Sequence, residues 1–200
     1  MTCSDGRAVD ALILASTSPY RQQQLRQFGL SFGVQASEVN ELCQENESPV
    51  SFALRMAEAK AHAVAEKFPD SWVIGADQVC EFEGRIISKP GNHKNATQQL
   101  NEFSGNKVLF HSALSVVHQA SGRAHSSNTI TTVHFKQLTA DTIASYLLND
   151  QPYDCAGSFK VESQGLRLMR SVESNDPSAL VGLPLIALCR ALDKLFYPYQ

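Results

Sequence analysis

The segment ALILASTSPYR at residues 11–21 places an apolar run, a polar turn and a helix start in direct succession. The apolar run at 11–15 is typical of a buried strand. Ser18 suits the cap of a helix because its hydroxyl can accept a hydrogen bond from a free backbone N–H, and Pro19 fits the first helical turn. We therefore expect a strand, a tight turn and a helix N-terminus, a unit from which α/β folds are built.

Strand and helix patterns alternate along the rest of the chain. Helix starts are predicted at Ser48-Pro49, near Asn92, at Thr139 and after Pro184. Strands are predicted at 72–76, 79–82, 85–87, 108–118, 123–135 and 166–172. The interleaved pattern predicts an α/β or α+β fold, with one domain over 11–200 after a flexible, polar segment at 1–10.

The composition describes an ordinary globular protein and excludes several classes of partner. The 200 residues are 43% hydrophobic with a formal net charge of −3, so no basic field favours a nucleic acid. Five scattered cysteines with no CxxC pair argue against a disulfide framework or a zinc site and favour a reducing compartment. No run approaches the roughly 18 apolar residues of a membrane span. We expect a cytoplasmic protein with no nucleic-acid or membrane partner, and leave a homodimer open.

The turn at 15–21 is a candidate phosphate site. Backbone N–H groups at a helix N-terminus and the helix dipole attract anions. Ser16 adds a hydroxyl donor, and Arg21 in the first helical turn can donate two parallel hydrogen bonds to phosphate oxygens. An ordinary capped helix with a surface arginine explains the same residues equally well, and the turn has no glycine-rich P-loop pattern.

Carboxylates and lysines elsewhere in the chain are candidates for the other charged groups of a phosphate site. Asp77 follows an apolar strand pattern, and Glu41 lies in a polar segment after the first helix. Lys60 flanks the apolar stripe of the second helix, and Lys89 follows a short strand. Each residue alone is equally typical of a turn, a solvated loop or a solvated surface. Together they could hold a divalent cation and neutralise the phosphates.

Seven motifs in order resemble the Maf family of nucleotide pyrophosphatases, from about Leu12 to Leu195. They are LILASTSPYR (12–21), EVNE (38–41), LRMAEAKAHAVA (54–65), VIGADQVC (73–80), ISKPG (87–91), CAGSFKVESQG (155–165) and LVGLPLIAL (180–188). The resemblance implies an elongated α/β fold, a mixed sheet flanked by helices, which is related to inosine triphosphate pyrophosphatases and has two lobes with a central cleft. It also implies a divalent metal such as Mg²⁺ or Mn²⁺ and attack of water at the α-phosphorus of a nucleoside triphosphate.

The resemblance also implies roles for individual residues. It implies that Ser16 and Arg21 bind phosphate and that two lysines, Lys60 and Lys89, contact the triphosphate from either side. The acidic pair is Glu41 and Asp77, which would hold the metal, with Asp77 also in the place of the proton acceptor. Two positions depart from the usual pattern: Asn40 replaces a common acidic residue, and Ser88 replaces a common glycine.

Three further positions distinguish the bases that Maf proteins accept. This chain has Tyr20, Gln78 and Glu162 there, which resembles the branch that hydrolyses 7-methyl-GTP and removes modified nucleotides, although that branch usually has tryptophan at the position of Tyr20. An aromatic face at Tyr20 would attract the positively charged methylated ring by about 0.5–2 kcal/mol. A carboxylate at Glu162 can accept two adjacent N–H donors of guanine, whereas a pyrimidine would leave it facing carbonyl oxygens.

Two other functions remain open at the level of sequence. The first is the same reaction on dTTP, UTP or another non-standard nucleotide. The second is a nucleotide-binding regulator of cell division, because the family name comes from an association with septum formation. The full set of Arg21, Lys60, Asp77 and Lys89 favours catalysis, since a regulator does not need a base beside a metal.

Overall fold

A computed structural model describes residues 11–195 and 197, so the segment 1–10 predicted to be flexible lies outside the described residues. The strands are β1 (Leu12–Leu14), β2 (Gly33–Val34), β3 (Trp72–Phe82), β4 (Arg85–Ile87), β5 (Lys107–His118), β6 (Arg123–Phe135) and β7 (Met169–Ser174). The helices are α1 (Pro19–Gln27), α2 (Pro49–Ala65), α3 (His93–Phe103), α4 (Ala140–Asp150) and α5 (Leu185–Lys194). Short 3-10 helices cover Ala156–Ser158, Gly165–Leu168 and Ala179–Val181.

The strands form one mixed sheet with the order β2-β1-β3-β5-β6-β7, and β4 pairs with β3. β1 runs parallel to β2 and β3, whereas the other pairs are antiparallel. The predicted α/β class, a mixed sheet flanked by helices, is confirmed. Neither the extent of the domain nor its division into two lobes is tested by this topology, and both stay predictions.

The predicted helix starts are confirmed, because short polar side chains cap the free N–H groups. Four caps accept a hydrogen bond from the backbone N–H three residues on: Ser18, Ser48, Asn92 and Thr139. α5 instead begins after Pro184 without a side-chain cap of its own. Among the described residues no helix combines the length and the hydrophobicity that a membrane crossing needs.

The two strands predicted at 72–76 and 79–82 are one continuous strand, β3. Asp77 therefore lies in the middle of a strand rather than at its carboxyl end, which corrects the sequence-based placement. The physical reason is β5, which pairs with β3 from Trp72 to Glu81 and holds its backbone extended through the polar residues. The predicted strands at 79–82 and 85–87 leave two residues, Glu83 and Gly84, between them, and these form the turn that connects β3 to β4.

Two other strand predictions need correction. The strand predicted at 166–172 begins only at Met169, because residues 165–168 form a 3-10 turn in which the backbone N–H of Arg167 bonds to the carbonyl of Gln164 at 2.9 Å. Leu168 ends that turn buried in the core, so its apolar character reflects packing rather than a strand. β2 was not predicted, since two exposed residues at 33–34 give no alternating pattern.

A gap in the sheet lies along one edge of β3. β1 pairs with residues 72–74 of that strand, and β4 pairs with residues 80–82. Among the described strands none pairs with this edge along 75–79, whereas β5 covers the opposite edge. The backbone of Ala15 still bonds to the Ile74 carbonyl at 2.8 Å. The turn after β1 is therefore fixed beside the gap.

Two hydrophobic clusters lie on either side of the gap, one toward each end of the long strands. One cluster packs α3 and α4 against the sheet around Phe103 and Phe135. The other packs β1, α1 and α5 together around Leu14 and Leu25. Helix α2 lies against β3 where Gly75 allows a very close approach: a Cβ there would be 2.1 Å from the carbonyl oxygen of Ala57.

Candidate active site

A cleft of about 810 Å³ lies at the gap in the sheet, and its volume falls within the usual range for small-molecule sites. It is lined by β3, the turn after β1, α2 and the end of β4. Eight of the nine predicted site residues line it: Ser16, Tyr20, Arg21, Glu41, Lys60, Asp77, Gln78 and Lys89. The ninth, Glu162, lines a smaller adjoining pocket of about 120 Å³ together with Tyr20, Arg21 and Gln78. The structure thus brings residues from distant parts of the chain to one place.

Arg21 is held in a fixed orientation by the turn after β1 and by a distant loop. Its Nη1 donates to Ser16 Oγ at 3.3 Å, and its Nε donates to the carbonyl of Gly182 at 2.9 Å. Burial lowers the pKa of Arg21, and the carboxylates of Asp77 and Glu41 oppose this shift. The guanidinium stays charged at neutral pH because arginine is not deprotonated in folded proteins. Its remaining N–H groups can serve an anion in the cleft.

Lys60 lies between the two predicted metal-binding carboxylates. Its Nζ is 2.6 Å from Glu41 Oε1 and 2.8 Å from Asp77 Oδ1. The side chain is buried, so the alternative of a solvated surface lysine is wrong. Burial alone would raise the pKa of Glu41, but the bond from Lys60 and the charges of Lys89 and Arg21 lower it overall. Both carboxylates are therefore directed at one cation.

Lys89 follows β4 at the rim of the cleft. Its side chain is exposed, as expected for a charged loop residue, but it also lines the cleft. No hydrogen bond or ion pair within residues 11–195 holds its ammonium. Lys89 is therefore available to an incoming anion.

Gln78 follows Asp77 on β3, and its side chain contacts the segment at 179–180. Its Nε2 lies 3.0 Å from the carbonyl of Ala179, 3.1 Å from that of Leu180 and 3.1 Å from Ser112 Oγ. The amide donors are thus used within the protein. The amide oxygen is the atom that remains for a ligand.

Tyr20 and Glu162 both line the adjoining pocket, which we call the side pocket. Burial raises the pKa of Tyr20, as does the neighbouring Cys155, whose sulfur is 4.0 Å from the phenol oxygen. Burial also raises the pKa of Cys155, to about 12, so its thiol is uncharged at neutral pH. Glu162 lies in an exposed turn, so its carboxylate is not buried.

Gln24 is a residue that sequence reasoning missed. It is buried on α1, where its amide accepts from the backbone N–H of Leu183 at 3.0 Å and donates to the carbonyls of Leu183 and Ser178. These bonds fix the loop 178–183, whose carbonyls in turn hold Arg21 and Gln78. A signal was present: Gln24 lies three residues after Arg21, at the helical spacing of the buried face.

Asp176 secures the other end of that loop. Its carboxylate accepts from the backbone of Ser178 at 3.1 Å, and from Ile186 and Ala187 in the first turn of α5 at 2.7 and 3.1 Å. A buried carboxylate that accepts several N–H groups at a helix N-terminus is strongly stabilised. α1, the loop and α5 therefore form one hydrogen-bonded support beneath the cleft.

The donor groups in the cleft fit a divalent cation that takes its other ligands from outside the protein. Among the described residues no cluster of three or more His, Cys, Asp and Glu side chains could hold an ion alone. Glu41 and Asp77 offer two carboxylates directed at one point, and Mg²⁺ is usually held by one or two carboxylates together with phosphate oxygens and waters.

Comparison with known proteins gives consistent results. The family model for Maf-like proteins matches residues 11–195. A 7-methyl-GTP pyrophosphatase of Albidiferax ferrireducens is 45% identical over 90% of this chain and 91% of its own length. One of Cupriavidus pinatubonensis is 44% identical over 94% of each chain. Among solved structures, a Ham1 protein of Staphylococcus aureus aligns with a TM-score of 0.54 and 13% identity, over 92% of this chain and 99% of that one. A HAM1 protein of Coxiella burnetii aligns with a TM-score of 0.52 and 14% identity over the same shares, so both share the fold.

Proposed function

The chain belongs to the Maf family, and from this premise we propose that it hydrolyses 7-methyl-GTP to 7-methyl-GMP and pyrophosphate. Relatives that are 44–45% identical over most of their length carry the name of that activity. The observation that carries the proposal is the connection between two sites. The side pocket with Tyr20 and Glu162 adjoins the cleft that holds Lys60, and Arg21 and Lys89 line both.

The side pocket offers groups that complement a methylated guanine. The aromatic ring of Tyr20 can lie against a cationic base, and Glu162 brings a negative charge to the same pocket. The amide oxygen of Gln78 is an additional acceptor for the N–H groups of guanine. Three features thus favour a positively charged purine with two adjacent donors, and none of them favours a neutral pyrimidine.

The cleft offers groups that complement a triphosphate. Arg21, Lys60 and Lys89 bring three positive charges, whereas a triphosphate carries about four negative charges. A divalent cation held by Glu41 and Asp77 would neutralise phosphate charge and help to align the triphosphate. The proposed enzyme is therefore a metal-dependent hydrolase of an acid anhydride.

In the proposed reaction Asp77 accepts a proton from a water that attacks the α-phosphorus. Its Oδ1 is bonded to Lys60, while its Oδ2 has no partner among the described residues and can take the proton. The bond between the α-phosphorus and the bridging oxygen breaks, and pyrophosphate leaves with the electron pair. Arg21 and Lys89 stabilise the charge that develops on the phosphate oxygens.

The base preference is tested by kcat/KM for 7-methyl-GTP, GTP, UTP and dTTP. We expect 7-methyl-GTP to exceed GTP by about 2- to 30-fold, since one cation–π contact contributes about 0.5–2 kcal/mol. UTP and dTTP should be poorer still. Equal or higher values for UTP or dTTP would refute the proposed substrate.

The chemistry is tested by changing the proton acceptor and by removing the metal. Asp77→Asn should lower kcat by about 100- to 10,000-fold, as expected for the loss of a general base. Asp70→Asn, an exposed residue outside the cleft, is the matched control and should keep wild-type turnover. Chelation with EDTA should abolish turnover, and added Mg²⁺ should restore it. Near-full turnover of Asp77→Asn with saturating metal would contradict the assignment.

A further inference from the structure

The ammonium of Lys60 occupies the position to which both acidic side chains of the cleft are directed. It contacts Glu41 at 2.6 Å and Asp77 at 2.8 Å. A divalent cation bound to the same oxygen atoms would lie close to this ammonium, and the two positive charges would repel one another. Lys60 and a free cation therefore compete for the same carboxylates.

We propose that Lys60 excludes a free divalent cation from the cleft, so that the cation binds only together with the triphosphate. This inference rests on the proposed nucleotide hydrolysis and adds an order of binding to it. Lys60 acts as an internal counter-ion for Glu41 and Asp77 until phosphate oxygens arrive.

The charge of the cleft supports this order. Three cations, Arg21, Lys60 and Lys89, face two carboxylates, so their net charge is +1. Two other acidic residues at the rim are each paired with a lysine outside the cleft: Glu38 with Lys67 at 3.7 Å and Asp154 with Lys160 at 3.9 Å. A free divalent cation would have to enter a site that is already positive. A bound triphosphate makes the same site negative, so that a divalent cation is attracted to it rather than repelled.

Burial explains why Lys60 does not simply move away. Only 8% of its side chain is exposed, and an ammonium buried to this extent needs an anionic partner. Withdrawing both carboxylates toward a cation would leave Lys60 unpaired. Phosphate oxygens are replacement partners, so the nucleotide can release the carboxylates that the cation needs.

Glu41 is the partner that can be exchanged more easily. It lies in the irregular segment between β2 and α2, and 54% of its side chain is exposed. Asp77 is fixed within β3, and 12% of its side chain is exposed. We expect Glu41 to change partner first when the nucleotide enters.

The test measures Mn²⁺ binding by the loss of the electron paramagnetic resonance signal of free Mn²⁺, in protein without nucleotide. Wild type should bind Mn²⁺ weakly. Lys60→Met should bind it at least about tenfold more tightly, because the competing charge is gone. Lys60→Arg is the matched control, since it keeps the charge and should bind as weakly as wild type. The double variant Lys60→Met, Glu41→Gln should lose the gain, which locates the ion at these carboxylates.

A second measurement gives a result on wild type that does not depend on how the variants fold. Calorimetry gives the affinity for the α,β-methylene analogue of GTP with and without Mn²⁺. We expect Mn²⁺ to tighten the analogue at least about tenfold, and by linkage the analogue tightens Mn²⁺ by the same factor. In Lys60→Met, Mn²⁺ should tighten the binding of the analogue by a smaller factor, because the carboxylates of this variant bind Mn²⁺ even without the nucleotide.

Three results would overturn the inference: tight binding of Mn²⁺ to free wild type, equal Mn²⁺ affinity of wild type and folded Lys60→Met, or no coupling between Mn²⁺ and the analogue. Failure of the proposed substrate is a separate result. It would appear as slow hydrolysis of 7-methyl-GTP relative to the other nucleotides, whereas the Mn²⁺ titration contains no methylated base and measures no hydrolysis.

Discussion

Replacing Gly75 with alanine should separate α2 from β3 and impair the site at the same time. A Cβ at this position would lie 2.1 Å from the carbonyl oxygen of Ala57 and 2.6 Å from the backbone nitrogen of Ala61. Real Cβ contacts are essentially never below 3.0 Å, so the helix or the strand must withdraw by about 1 Å. Lys60 precedes Ala61 on the same helix, so the same shift lengthens its 2.8 Å contact with Asp77.

The size of the effect follows from the atoms involved. Overpacking against backbone, which cannot change rotamer, belongs at the upper end of the usual range, about 3 kcal/mol. For a chain of this length, about 2–4 °C of Tm is lost per kcal/mol, so Gly75→Ala should melt about 6–12 °C lower. A misplacement of about 1 Å near the reacting groups can lower kcat by about 100-fold.

Gly33→Ala is the matched control because its Cβ would meet only Ile13 Cγ1, at an ordinary 3.9 Å. Both variants are compared with wild type by differential scanning calorimetry and by turnover well below either Tm. We expect Gly33→Ala to stay within about 2 °C of wild type and to keep its kcat. If Gly75→Ala melts as the control does, the close packing of helix and strand is refuted. If it melts low but turns over normally, the link between this packing and Lys60 is refuted.

Three other changes test the base pocket, the loop support and the ion pair. Tyr20→Arg combined with Glu162→Gln should reduce the preference for 7-methyl-GTP over GTP by about 2- to 30-fold, and an unchanged kcat/KM ratio would contradict the assigned base contacts. Gln24→Leu leaves buried backbone groups unpaired at about 1–3 kcal/mol each, so Tm and kcat should both fall, whereas exposed Gln27→Leu should leave both near wild type. Glu41→Gln should lower Tm at neutral pH. Because the folded-state pKa of Glu41 is lowered, its stabilisation is complete above the usual carboxyl pKa and is lost as the pH falls through the lowered value. The difference in Tm between wild type and this variant should therefore shrink below about pH 4, and a constant difference would exclude the ion pair as its cause.

The sequence by itself determined the features that depend on near neighbours. A cap such as Ser18 or Thr139 bonds a backbone N–H three residues away, so its helix start can be predicted from a few letters. The turn at Glu83-Gly84 and the alternation of strands with helices are local in the same sense. The residues of the candidate site were also named from the sequence, through the motifs that resemble the Maf family rather than through any one residue.

Only the tertiary structure decided how those residues meet. The apolar strand pattern in the sequence is interrupted at Asp77, yet pairing with β5 keeps β3 continuous through this residue. The gap in the sheet, where the cleft lies, is along the opposite edge of the same strand. Lys60 looked like a solvated lysine until the close approach of α2 at Gly75 placed it between two carboxylates. Gln24 reaches a loop that is 159 residues away in the chain. Contacts over such distances depend on how whole elements pack, so they cannot be predicted from the pattern of residues within one element.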